Sequence, residues 1–226
     1  MNIGKAFSYV FEDPQWLQKV LFGALFQLLS IVLIGIPFVL GYNVELVRNV
    51  HRGDANPLPE WSNLGEKFSE GLKLLVVYIV WALPFIVLYC CQIVLTAGLS
   101  GVAGGGNRQT ADAIGGVVAI ASLALSCLMG LYGIFLAIIR PAIVVQYVRT
   151  GEIGAGFRFG EVLGIVRRIP GPVIITALLG IVTGFIAQIG VIACLIGVFF
   201  TAAYAYYVNG HLEGQVWQEL DRAPAV

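Results

Sequence analysis

Between Leu72 and Arg140 the chain carries only three charged residues, Lys73, Arg108 and Asp112, and the last two sit in a Gly-rich segment between two long apolar runs. Leu74–Leu99 and Ala113–Ile139 each exceed the roughly 20 apolar residues that cross a hydrocarbon layer about 30 Å thick at about 1.5 Å per residue. A soluble core has no use for two such runs in series, so the pattern predicts an all-α polytopic transmembrane helical bundle. Composition agrees: 58% of residues are hydrophobic and 12% charged, about half the charge of soluble domains. Thirteen Lys and Arg balance thirteen Asp and Glu, which gives no argument for a nucleic-acid partner or a polybasic tail.

Two further apolar stretches, 17–47 and 171–208, are long for single spans. The second, as one helix, would be nearly twice the hydrocarbon thickness. Gly35-Ile36-Pro37 interrupts the first and Gln188-Ile189-Gly190 lies near the middle of the second, so both read as helical hairpins. The basic residues favour the same arrangement, because Lys and Arg collect in cytoplasmic loops near span ends. Arg48, Arg52, Lys67 and Lys73 fall in one connecting segment and Arg140, Arg149, Arg158, Arg167 and Arg168 in another, whereas the Gly-rich loop Ser100–Thr110 holds only Arg108. Three hairpins, six helices in all, place every basic residue except Arg108 on the cytoplasmic side of an inner (plasma) membrane with both termini inside; four single spans are the alternative. Met1–Trp16 contains Glu12 and Asp13 and has no cleavable signal pattern. The chain thus reads as one integral domain over 1–226.

A weak threefold repeat accompanies this layout. Ala6–Phe11, Leu64–Phe68 and Phe157–Glu161 each begin a short amphipathic segment ahead of an apolar helix. Leu64, Phe68, Leu72 and Leu75 recur at helical spacing while Glu66, Lys67, Glu70 and Lys73 point elsewhere, as expected of a helix at the headgroup boundary.

Chemistry is scarce. The apolar runs contain Gln27, Gln92 and Gln188 as their strongly polar side chains, with scattered Ser and Thr; a proton relay or charged selectivity ring needs ionisable groups at that depth. Cys90, Cys91, Cys127 and Cys194 lie in apolar runs, where a thiol acts as a small hydrophobe, and adjacent Cys90 and Cys91 are badly placed for a bridge. Neither a metal nor another cofactor is implied. His211 and Glu213 alone make a very weak metal signal, and Gly104-Gly105-Gly106 lacks the following Lys-Ser/Thr of a phosphate loop. Small residues at packing intervals, Ser122, Ser126, Gly130 and Gly133 in one stripe and Ala177, Gly180 and Gly184 in another, suit close helix contacts.

The most distinctive segment is 41–71. Glu45 and Arg48 are three apart and suit an ion pair on one helix face; Pro59 suits a first helical position and Trp61 an interfacial anchor. Tyr42, Glu45, Arg48, Pro59, Glu60, Trp61 and Arg140 are therefore the candidate interfacial or partner-binding residues. Arg140-Pro141 and Asn209–Gln215 read as further helix ends at the same surface. Glu45, Asp54 or Glu60 with His51 would be a catalytic set only with a nucleophile or metal ligands beside them, which the sequence does not supply.

Gly41-Tyr42, Arg48, Gly53, Leu58-Pro59-Glu60-Trp61, Gly71 and Leu212-x-Gly214-Gln215 resemble the pattern of a prokaryotic domain-of-unknown-function family of multi-pass membrane proteins. That family is similar in layout to the membrane domain preceding some glycerophosphodiester phosphodiesterases. The resemblance implies an inner-membrane helical bundle and no catalytic residues. The expected function is a non-enzymatic scaffold or accessory subunit that binds membrane lipids or other membrane protein subunits, with a small permease or channel component as the alternative.

Overall fold

Proline and glycine decide where this chain turns. A computed structural model describes residues 1–103, 108–193 and 196–224; the Gly104–Gly106 triplet and Cys194 lie outside them. Helix α1 (Ile3–Glu12) ends at Asp13, which is extended because Pro14 disfavours a helical residue before it. The chain then enters α2 (Trp16–Leu29), which with the following 3-10 turn is bent 101° from α1. Ser30–Val32 forms that turn, and Leu33 takes a left-handed φ of 65°. Helix α3 (Gly35–Arg52) holds Pro37 in its first turn, where the missing amide costs nothing, and stops at Gly53, whose φ of +80° suits a residue without Cβ.

There follow α4 (Leu64–Ala103), α5 (Arg108–Thr150), the single turn α6 (Ile153–Gly156), α7 (Phe159–Arg168), α8 (Pro170–Ala193) and α9 (Gly197–Arg222). Among the described residues there is no strand. Two compact units are formed, Met1–Tyr78 with Ile138–Val226, and Ile79–Ala137. In the first, α9 is central, packing on α8, α3, α2 and α1. Its core gathers Tyr9, Val20, Tyr42, Leu46, Leu58 and Tyr207. The second comprises the remaining lengths of α4 and α5, where the Tyr132 hydroxyl donates to the Trp81 carbonyl at 2.7 Å.

Several expectations are corrected. The first hairpin turns just before Gly35-Ile36-Pro37 rather than on it. Gln188–Gly190 is not a turn: α8 runs to Ala193, and Gly190 is where α9 crosses, since a Cβ there would overlap the Gly197 carbonyl and the Thr201 hydroxyl. Neither Arg140-Pro141 nor Asn209–Gln215 ends a helix, because α5 continues to Thr150 and α9 to Arg222. The surface segment of the second repeat is continuous with its span; the first and third repeats break at Pro14 and just before Pro170, and no proline stands between Leu64 and Leu74.

Three helical segments are long and apolar enough to cross a membrane, Leu64–Gly98, Gly115–Thr150 and Pro170–Ile192, and the bent pair Ile3–Glu12 with Trp16–Val32 would make a fourth if it counts as one span. Their apolar side chains face outward. Leu17, Leu21, Leu25 and Leu28 on α2, and Ile174, Leu178, Ile181 and Phe185 on α8, are exposed. Lys19, Asn43, Lys67, Thr183 and Glu213 are buried. Apolar side chains thus lie on the outside as well as in the core, the distribution expected of helices whose surroundings are apolar.

Candidate functional site

The segment singled out in the sequence is organised by a backbone contact between α3 and α4. A Cβ on Gly41 would overlap the Lys67 carbonyl, and one on Gly71 would overlap the Pro37 carbonyl and lie 2.6 Å from the Gly41 nitrogen. Only glycine allows both approaches. The close crossing brings the charged edges of the two helices together. Lys67, 3% exposed in its side chain, donates to Glu45 at 2.6 Å and to the Ser62 carbonyl at 3.0 Å. Arg48 donates to Glu70 at 2.8 Å, and Lys73 to the same carboxylate at 2.7 Å. Glu45 and Arg48 thus pair across to α4 rather than with each other, a partner choice that residue spacing along one helix does not reveal.

At the start of α4 the apolar stripe faces outward, as a helix at the headgroup boundary requires, and the opposite face packs on α3. Leu64, Phe68 and Leu72 are exposed, and Lys67, Gly71, Leu74 and Val77 are buried.

The loop before α4 is held in the core. Lys19, on α2, donates from Nζ to Asp13 at 2.7 Å and to the Leu58 carbonyl at 2.8 Å, and its own carbonyl accepts from Trp61 Nε1 and from the Tyr207 hydroxyl, both at 2.9 Å. Tyr42 donates to the Pro59 carbonyl at 2.9 Å. The Trp61 ring is stacked between Phe26, 4.5 Å away, and Tyr42, 4.4 Å away. Pro59 lies in this loop, before α4 begins, and not at a first helical position. Substituting Trp61→Phe keeps the stack and removes the Nε1 donor, so a loss of about 1 kcal/mol in unfolding free energy is expected by thermal unfolding in detergent.

Beside this loop lies a polar cavity of about 470 Å³ whose walls include Asp13, Lys19, Glu45, Asn49, Glu60 and Ser62. The structure thereby brings Glu45, Pro59 and Glu60 to one place, with Trp61 on an adjoining hollow beside Glu60.

Arg140 belongs to a different group. On α5 it follows the exposed apolar stretch and precedes the buried run Ala142–Val148. Its guanidinium lies 3.4 Å from Glu213, which is 1% exposed and accepts from Asn43 Nδ2 at 2.7 Å. Burial raises the Glu213 pKa, opposed by the Arg140 charge and the Asn43 hydrogen bond. Asn43 Oδ1 and the Tyr78 and Tyr206 hydroxyls are buried with no hydrogen bond of ordinary geometry, and both hydroxyls are within electrostatic reach of Arg140. Composition hid this cluster because its members come from α3, α4, α5 and α9, far apart in the chain.

Two residues before Glu213 on α9, His211 stacks on Tyr9 with ring centroids 4.3 Å apart, and its Nδ1 is 2.9 Å from Gln215 Nε2. The amide can only donate, so that ring nitrogen is unprotonated. Burial first, then the Lys5 charge, lowers the His211 pKa from 6.5 to about 4, with Glu12 opposing. A histidine depressed on folding contributes stability that is present above the unfolded pKa and lost as pH falls toward the folded one. Acidification from pH 7.5 to 5 therefore costs about 2 kcal/mol through this residue; the acid slope of unfolding should flatten in His211→Gln.

The helix-packing residues also fall differently. Gly130 and Gly184 face open space, and Gly180 is close only to Asn209 Oδ1, at 3.7 Å. Ser126 is exposed and Ser122 half-buried with an unbonded hydroxyl. Tight contacts lie instead at Gly23 against Tyr207, Gly35 against the Phe26 carbonyl, Gly156 against Val77, Gly210 against Asn43 and Leu46, and Gly214 against Val50, besides Gly41, Gly71 and Gly190. Gly210 and Gly214 are four apart, a spacing that could have been found.

Long apolar helices with outward apolar faces make this an all-helical protein compatible with residence in a membrane. The chain belongs to the family described as Protein of unknown function (DUF4013), whose model matches residues 24–196. Neither a curated protein nor a solved structure matches it.

Proposed function

We propose that this chain is a non-enzymatic scaffold or accessory subunit of an inner membrane, with six helices in three hairpins, both termini cytoplasmic, and surfaces that bind membrane lipids or other membrane subunits. The observation that supports this reading is the long apolar helix faces turned outward, with the buried charges Lys19, Lys67 and Glu213 all paired inside. The likeness in layout to the membrane domain ahead of some glycerophosphodiester phosphodiesterases belongs to the same reading and brings no activity with it. Purification in mild detergent is expected to recover a partner subunit or a defined lipid. Bare monomer alone would sink the proposal. Reporter tags at both ends should read cytoplasmic, and a tag read outside would remove the three-hairpin arrangement.

A second reading, a small permease or channel component, draws on Gln92, whose Oε1 is buried without a hydrogen-bond partner in an otherwise apolar span. Solute flux into proteoliposomes that disappears in Gln92→Leu is its expected result. Equal flux in the variant and the parent rules it out.

A further inference from the structure

The hairpin of α2 and α3 is short, and its charges all stand at its open end. Lys19 pairs there with Asp13, and Glu45, whose side chain is 44% exposed, lines the polar cavity together with Glu60. That end is the water side. From Glu45 back to Gly35 the returning arm is ten residues, about 15 Å, or half of a hydrocarbon layer about 30 Å thick. The outgoing arm, from Val20 through the 3-10 turn Ser30–Val32, reaches about 20 Å. Neither arm is long enough to carry the turn across.

The turn itself is made for oil. Ile31, Val32, Leu33 and Ile34 are 61–70% exposed, and the Ser30 hydroxyl, the one polar side chain beside them, is spent on the Phe26 carbonyl at 2.8 Å. Four such side chains emerging into water at a far surface would be unfavourable. Leu33 moreover holds a left-handed φ of 65°, which glycine or asparagine adopts with less strain, so an apolar side chain stands where turn geometry alone favours a small or polar one. Backbone polarity is also reduced: the Leu33 N–H donates to the Ser30 carbonyl at 3.0 Å, and Pro37 removes one of the amides that a helix start leaves unbonded.

We propose that α2 and α3 form a re-entrant hairpin, entering and leaving by one face of the membrane, with residues 31–34 seated among lipid acyl chains near the middle of the bilayer. It rests on the membrane reading given above and goes beyond it by giving this hairpin a depth. The corner at Pro14 fits the same placement: α1, bent 101° away, lies along the surface with Lys5 and Glu12 exposed. The test uses the full chain with its four cysteines replaced by alanine, in vesicles of phosphatidylcholine and phosphatidylglycerol, carrying a nitroxide on one new cysteine at a time. Leu21→Cys, Leu25→Cys, Leu28→Cys and Ile31→Cys run down the exposed face of the hairpin, and Glu60→Cys is the water-side reference. Collision with dissolved oxygen and with a water-soluble nickel chelate reads the depth of each label. Depth should grow at every step from Leu21 to Ile31, by about 15 Å in all. A depth that peaks near Leu25 and falls again at Ile31 describes a hairpin that crosses, and overturns the proposal. Poor access of both reagents to position 31 means that a protein partner or a second copy covers the turn, which overturns it too. Val32→Cys and Ile34→Cys, comparably exposed, make the same comparison if Ile31→Cys does not fold. Flotation of the parent chain with the vesicles is scored first: its failure removes the membrane reading and the hairpin's depth together, whereas a floating chain with its peak near Leu25 removes the depth alone.

Discussion

Gly71→Ala is expected to cost about 3 kcal/mol or more and to abolish recovery of folded protein, because its new methyl would occupy the position of the Pro37 carbonyl oxygen. A clash with a flexible side chain can be relieved by a rotamer change. Here the obstacle is main chain, so α3 and α4 must separate. Separation would also pull Lys67 from Glu45 and Arg48 from Glu70, leaving a buried ammonium unpaired. Gly41→Ala meets the Lys67 carbonyl from the other side and should behave alike. Gly130→Ala and Gly184→Ala provide the contrast: both positions are open, and alanine is the better helix former by up to about 1 kcal/mol. Thermal unfolding in detergent and the yield of folded protein measure all four. Equal tolerance of Gly71→Ala and Gly130→Ala would mean that the α3–α4 crossing is not as close as described.

Lys19→Met should cost about 3–5 kcal/mol, since it strands the Asp13 carboxylate in a site where that side chain is 4% exposed. The same change removes the donor to the Leu58 carbonyl, one of the hydrogen bonds that tie the loop before α4 to α2. The double variant Asp13→Asn with Lys19→Met removes both charges and should recover a large part of the loss. Such recovery separates a pairing defect from loss of packing, because the lysine stem is absent from both variants. If the single and double variants unfold alike, the stem and its Leu58 contact carry the stabilisation instead.

The sequence reveals the long apolar segments, the short amphipathic helices α1 and α7 and the distinctiveness of 41–71 because each is a local pattern. Composition marks the first, periodicity the second, and turn residues with an aromatic the third. The candidate site was only partly legible. Glu45 and Arg48 are close along one helix, and their true partners on α4 lie twenty-two residues further along in each case. Hydropathy distinguishes core from surface when the surroundings are water; where both faces of a helix are apolar, that contrast vanishes. Gly180 and Gly184 were therefore indistinguishable in the sequence from Gly210 and Gly214, though the second pair makes the contacts with α3. The Arg140 group needed four helices to be placed before it could be seen.

Cys90, Cys91 and Cys127 are free thiols on the exterior of α4 and α5, and their position has a practical consequence. A charged, water-soluble maleimide does not enter hydrocarbon, so geometric accessibility and chemical reactivity part company wherever lipid covers these helices. A water-soluble maleimide should label them slowly in intact membranes and readily once the chain is extracted and denatured. The three sulfurs are thus built-in probes that distinguish immersion in oil from contact with water.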